Sequence, residues 1–283
     1  MRIRKELCYF VASIIMFGSC DSTEHELEVN ITNPVNVEEN AMVNCIIENI
    51  LNEVEYNVLS IENGFTTKQD SLPQVKVVYN DNSDQASSVI IDYGSENRAD
   101  YLGRLKRGKI STKLDGIISD KNCCLAIEFQ HFYINNLNVS GHIELNGSGL
   151  SSNQNLQFEV IFNDLIFTDE KGNSYSLEGT KTREWIEGFE TADNPWDDQF
   201  LIGGITTGVN SEGREYKSEI LTPLLISHAC QFIPVGEVLF SLKNEECTYN
   251  YGSNLCDNKG FYIKEDEKID FEYGRYQFRY QSK

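Results

Sequence analysis

Two tryptophans stand near a run of acids in this 283-residue chain. Residues 193–198 read Asp-Asn-Pro-Trp-Asp-Asp, and Trp185 lies shortly before them. An indole beside carboxylates and amides suits a sugar, because the ring stacks on an apolar face and the polar groups take hydroxyls. Trp185, Trp196, Asp193, Asp197 and Asp198 are therefore the candidate ligand-binding residues. Two carboxylates could also serve a glycosidase, one as acid and one as nucleophile or base. The plain alternative is an acidic loop pinned by a buried Trp.

Other chemistries find less support. A serine hydrolase needs its nucleophile in a G-x-S-x-G elbow with His and Asp partners. Gly147-Ser148-Gly149 reads as a turn instead, and His228 beside Ser227 has no such context. No catalytic residue is assigned, and the expectation is a non-enzyme. Zinc is disfavoured by the four histidines and the absence of any CxxC pair. The loops after Tyr93 (Ser95, Glu96, Asn97, Asp100) and Tyr251 (Ser253, Asn254, Asp257, Asn258) are rich in oxygen, as Ca²⁺ requires. Their spacing is not that of an EF-hand, and such residues commonly bond their own backbone in turns. No metal or cofactor is expected. Arg104, Lys106, Arg107 and Lys109 form a dense positive patch. Internal ion pairing is the expectation there, with alternate members on opposite faces if the patch is a strand.

The first twenty residues carry a different chemistry. Arg2, Arg4 and Lys5 precede an apolar run from Leu7 to Phe17, and Gly18-Ser19-Cys20 follows. A basic start, an apolar run of roughly 7–15 residues and small residues at the cut make a secretory signal. The run is too short to span a bilayer, which takes about 20 residues. A cysteine at the cut points to a bacterial lipoprotein, with residues 1–19 as signal and Cys20 as the acylated N-terminus, although Phe17 stands where Leu is usual. Acyl chains contribute about 0.8 kcal/mol per buried CH₂, so two or more hold a protein on a bilayer. The expected location is the cell envelope, at the outer membrane and exposed on the cell surface.

Charge narrows the partners. The chain carries −20. Its first 19 residues hold three bases against Glu6, so the remainder is more acidic still. Nucleic acid and anionic lipid surfaces both want basic patches and are excluded as partners on that ground. Of eight cysteines, Cys8 leaves with the signal and Cys20 takes lipid. Among the rest, Cys256 is expected to pair with Cys230 or Cys247 in an oxidising compartment. Cys123 and Cys124 would face opposite sides of a strand, so one buried thiol and one thiol bridged elsewhere is expected.

The elements that must position these groups follow from periodicity. Residues 20–40 are polar and acidic and read as a tether. In 41–60, Val43, Ile46, Ile47, Ile50, Leu51, Val54 and Val58 give one apolar face, with Asn40 as cap and Gly64 past the end. This predicts an amphipathic helix packed on a sheet. From residue 75 the period becomes two. Short runs at 88–93, 125–134, 139–145, 175–177, 200–205, 236–242 and 261–263 alternate with turn residues at 170–173, 210–213 and 257–260. This predicts a mainly β domain over 41–283: an antiparallel meander, sandwich or partial barrel with one N-terminal helix. Ile91-Asp92-Tyr93-Gly94-Ser95 and Tyr249-Asn250-Tyr251-Gly252-Ser253 echo one another and read as equivalent turns in two sheet layers.

Two stretches resemble a family of exported Bacteroidetes lipoproteins. Ile91-Asp92-Tyr93-Gly94-Ser95 followed by Gly103-Arg104-Leu105-Lys106-Arg107-Gly108-Lys109-Ile110 is similar to its Asp-aromatic-Gly strand end and the Asp-Gly-Arg-x-Arg-x-Gly-Lys-Ile after it, with Leu102 in place of Asp. Tyr251-Gly252-Ser253-Asn254-Leu255-Cys256-Asp257-Asn258 is similar to its Tyr-Gly-x-Gly-x-Cys-Asp-Asn, with Asn254 in place of Gly. The resemblance spans roughly 75–265. It implies a lipid-anchored β-rich protein and carries no activity. The functional expectation is a membrane-tethered module, held in the bilayer by acylated Cys20, that binds a glycan or an envelope protein. A structural component of an envelope complex, or a hydrolase with dispersed residues, are the alternatives.

Overall fold

The computed structural model describes residues 36–64, 73–80, 86–100, 102–191, 194–243 and 245–274. The signal, Cys20 and the tether up to residue 35 lie outside the described residues. The chain opens with α1 (Val37–Glu62) and continues as strands. These are β1 (Gln74–Tyr79), β2 (Ala86–Ala99), β3 (Leu105–Asp115), β4 (Cys124–Ile134), β5 (Leu137–Leu150), β6 (Leu156–Thr168) and β7 (Ser174–Glu187). A 3₁₀ turn (Pro195–Asp197) leads to β8 (Gln199–Val209), β9 (Glu215–Ser227), β10 (Val235–Leu242), β11 (Glu245–Asn250), β12 (Lys259–Lys264) and β13 (Glu267–Glu272). Each run that alternated in the sequence lies inside one of these strands.

All thirteen strands form one antiparallel sheet in chain order, with β1 and β13 as its open edges. Of the three expected architectures, the meander is therefore the one formed, and among the described residues there is no second sheet to make a sandwich. The sheet must curl. Arg104, next to β3, and Gln231, between β9 and β10, both bond the side chain of Asn49 in α1. Six strand spacings of about 4.8 Å would part β3 from β9 by roughly 29 Å if the sheet were flat, beyond the reach of one side chain. The curl has a local cause: register shifts cross the sheet at Arg107/Lys109, Ser140/His142, Phe162/Leu165 and Ile202/Ile205. Such bulges bend and twist strands. At Gly108 (φ +85°) and Gly141 (φ +97°) the facing strand's carbonyl oxygens, of His131 and Asp164, occupy the place of a side chain, so only glycine fits.

The helix differs from expectation at its start and in its surroundings. Asn36, not Asn40, is the cap; its side chain accepts from the Glu39 amide at 3.3 Å. Asn40 is fully buried inside the helix. Its amide donates to the Tyr175 hydroxyl at 2.8 Å, and its oxygen accepts from Tyr249 (2.8 Å) and Ser218 (3.0 Å). Residues 37–40 thus belong to the helix rather than to the tether. The helix is buried nearly all round, which marks an interior helix and not one lying on a sheet. Ile46, Ile50, Val54 and Val58 join Phe132, Phe162, Phe167, Phe240 and Tyr262 in one core. Each such side chain contributes about 1.5–3 kcal/mol on full burial.

The two echoing stretches make the same bond but belong to one sheet, not to two layers, and the first is a bulge within β2 rather than a turn. Gly94 N donates to Asp92 Oδ1 at 2.9 Å, and Gly252 N to Asn250 Oδ1 at 2.8 Å. Both place a buried tyrosine, Tyr93 or Tyr251, against the helix side of the same sheet. Cys256 bonds Cys230, across 26 residues. Cys247 is a free thiol, as are buried Cys45 and Cys123. Cys124 points outward as alternation requires, but it is unbridged rather than paired elsewhere.

Candidate functional site

The polar residues of α1 form two stripes, and each meets charges brought by the sheet. On the first, Glu48, Asn52 and Glu55 face β7. Arg183 donates to Glu48 Oε2 (2.7 Å), to Asn52 (2.7 Å) and to both oxygens of Glu55 (2.9 and 2.7 Å). Its guanidinium also lies 3.8 Å from the Phe200 ring centroid. Lys181 reaches Glu48 at 3.3 Å and Asn44 at 3.0 Å. These basic residues alternate in phase with Tyr175, Leu177 and Trp185, so β7 turns them inward with its apolar face.

The second stripe, Asn49 and Glu53, faces the start of β3. Lys106 bridges Glu53 (2.6 Å) and Asp100 (3.1 Å). Arg104 joins Asp100 at 2.6 Å, Glu53 at 3.9 Å and the Asn49 side chain. Burial works against ionisation of Glu53 and Asp100. The cations, Lys106 first, outweigh it and hold both carboxyls below their ordinary range. Arg107 and Lys109 point the other way: Arg107 stacks on Tyr133 and bonds Asn97, while Lys109 pairs with Asp92 at 2.7 Å. The expected internal pairing and the expected split between faces are both present.

Between these stripes and the sheet ends lies a cavity of about 530 Å³. The C-terminal half of α1 forms its floor through Asn49, Asn52, Glu53, Tyr56 and Asn57. One wall comes from β1, β2 and the β2–β3 loop; the other comes from Pro195, Trp196, His228 and Cys230. The size fits a small ligand, and the lining mixes apolar surface with fixed polar groups, as ligand sites do.

Trp196 lines this cavity and is 49 % exposed. Trp185 is 5 % exposed and does not share that surface. It packs on Phe189 and Phe200, and its indole N–H donates to Glu187 O (2.7 Å) and Asp198 Oδ1 (3.2 Å). Its part is to position the loop that presents Trp196. Asp198 is buried beside it, so it does not face solvent as a ligand group would. Asp197 accepts from Thr191 at 2.9 Å. Asp193 lies outside the described residues.

Behind the Trp196 wall sits an acid–base trio. His228 Nδ1 is 3.6 Å from Asp198 and its Nε2 is 3.8 Å from Glu55. Burial, then the charge of Glu55, pushes the Asp198 carboxyl up to about 7. Glu53, Asn49, Arg98, Arg104 and His228 were not legible as one site, because the topology alone brings them together. A signal did exist: Asn40, Asn44, Glu48 and Asn52 recur every fourth residue along the helix, and Lys181 and Arg183 occupy inward positions of an alternating strand.

Among the described residues no group of three His, Cys, Asp or Glu is placed to hold a metal ion. Near Tyr93, the oxygens of Asp92, Asn97 and Asp100 are engaged by Gly94, Lys109, Arg107, Arg104 and Lys106. Comparison with family models, with curated proteins and with solved structures returns no match for this chain.

Proposed function

We propose that this protein is a membrane-tethered lipoprotein of the Bacteroidetes type, acylated at Cys20, that captures a glycan in the cavity over the C-terminal half of α1. The observation that carries this reading is Trp196: a half-exposed indole on the wall of a cavity floored by amides and carboxylates. An indole face stacks on the C–H surface of a sugar, and fixed polar groups around it select hydroxyls. The loop bearing it is held from behind by Trp185 and Asp198, so the ring is presented without an ordering cost at binding. Glu53 and Asp100 are tied to Arg104 and Lys106, which suits a binding role better than proton transfer.

A glycan array read with the folded protein tests it. Trp196→Ala should abolish binding with the melting temperature unchanged, since the ring is half in solvent. Retained binding in that variant, or no binding by folded wild type, sinks the reading. The tether is tested separately. Cys20→Ala should move the protein from the membrane to the soluble fraction, and full membrane retention would exclude acylation as the anchor.

A further inference from the structure

Arg98 decides what kind of glycan the cavity would take, an inference that rests on the binding reading above. Five ionised side chains line the cavity besides His228: Arg98, Arg104, Lys106, Glu53 and Asp100. Arg104 and Lys106 each contact both carboxylates, so these two cations and two acids balance one another. Arg98 is left over. Its guanidinium meets no acid among the described residues, in a chain whose net charge is −20.

Its register makes this more pointed. Arg98 of β2 stands directly opposite Lys106 of β3 in the antiparallel ladder, so both side chains leave the same face. Like charges directly opposite one another destabilise a strand pair. Lys106 is compensated from α1 and the β2–β3 loop, whereas Arg98 meets no acid among the described residues. An exposed cation at the cavity wall, beside a second cation and across from an indole, is an arrangement completed by an anion.

We propose that the cavity takes an acidic saccharide, with its ring on Trp196 and its carboxylate or sulfate on Arg98. The planar fork of arginine matches either group in bidentate fashion. In an acidic protein this local surplus of one positive charge gives an anion a place to bind, and its reach is short at physiological salt.

The test is an array on which each acidic saccharide stands beside its carboxyl-reduced or desulfated counterpart, read with the full chain in detergent. Wild type should prefer the acidic member by about tenfold or more, the range of a hydrogen bond to a charged group. Raising salt should erode that preference. Arg98→Gln should equalise the two members while leaving Trp196-dependent binding of the neutral one. Equal binding of both members by wild type, with Arg98→Gln and salt both silent, overturns the inference and leaves the glycan reading standing. Binding of no saccharide by folded protein overturns both.

Discussion

Arg183 shows how much of this molecule depends on single side chains. It is fully buried, and among the described residues its hydrogen-bond acceptors all come from one helix. Removing one partner of a buried ion pair costs about 3–5 kcal/mol, because the other charge stays behind in a dry place. Arg183→Ala should therefore lower the unfolding free energy read from urea titration by that amount, and a change below about 1 kcal/mol would mean that water reaches Glu48 and Glu55. The acids also set a pH dependence with two opposite parts. Burial pushes Glu39, Glu62 and Asp198 up to about 7. Unfolded, such groups ionise near pH 4. Between pH 4 and 7 the folded state binds more protons, so stability falls as pH rises through this window and is flat above it. Glu53, Glu55 and Asp100 are held below their ordinary range, and their contribution is lost as pH falls below about 4. The melting temperature should thus be higher at pH 5.5 than at pH 8. Glu62→Gln should flatten that slope, and an unchanged slope would show that Glu62 titrates normally.

At the scale of elements, the loop between β7 and β8 is the piece that makes the site. Gly188 stands at its start with φ +90°, and an added Cβ would press on the Asp198 side chain and lie 2.7 Å from its Cα. Gly188→Ala should destabilise the fold by about 1–3 kcal/mol and weaken ligand binding more than heating data alone would explain. Unaltered affinity in that variant would separate the loop from the site. Elements were also the level most legible in the sequence. Alternation located the strands because one face of each is buried and the other wet. The apolar repeat located the helix, yet its polar residues read as a solvent face. Their partners are Lys181 and Arg183 of β7, more than 130 residues from Glu48, and no local pattern announces that distance. The same holds for the site. Trp196 stood out by residue type, while Arg98 and Glu53 gained meaning only from the register of β2 with β3 and the height of α1 between them.

For the whole molecule, the meander makes every strand pair a neighbour in sequence. Among the described residues, the side-chain hydrogen bonds that span more than a hundred residues all involve α1. The innermost element therefore precedes in the chain every strand that covers it. When α1 emerges, none of what will cover it exists. Glu53 meets Lys106 at the third strand, but Glu48 and Glu55 wait through six strands before Lys181 and Arg183 arrive, and Tyr249 comes later still. A nascent chain stopped after β6 would hold Glu48 and Glu55 with no cation from β7, and a helix that no sheet yet encloses. The order of the chain thus leaves the apolar face of α1 without its β7 partners until the seventh strand is made, and exposed apolar surface of that kind favours aggregation.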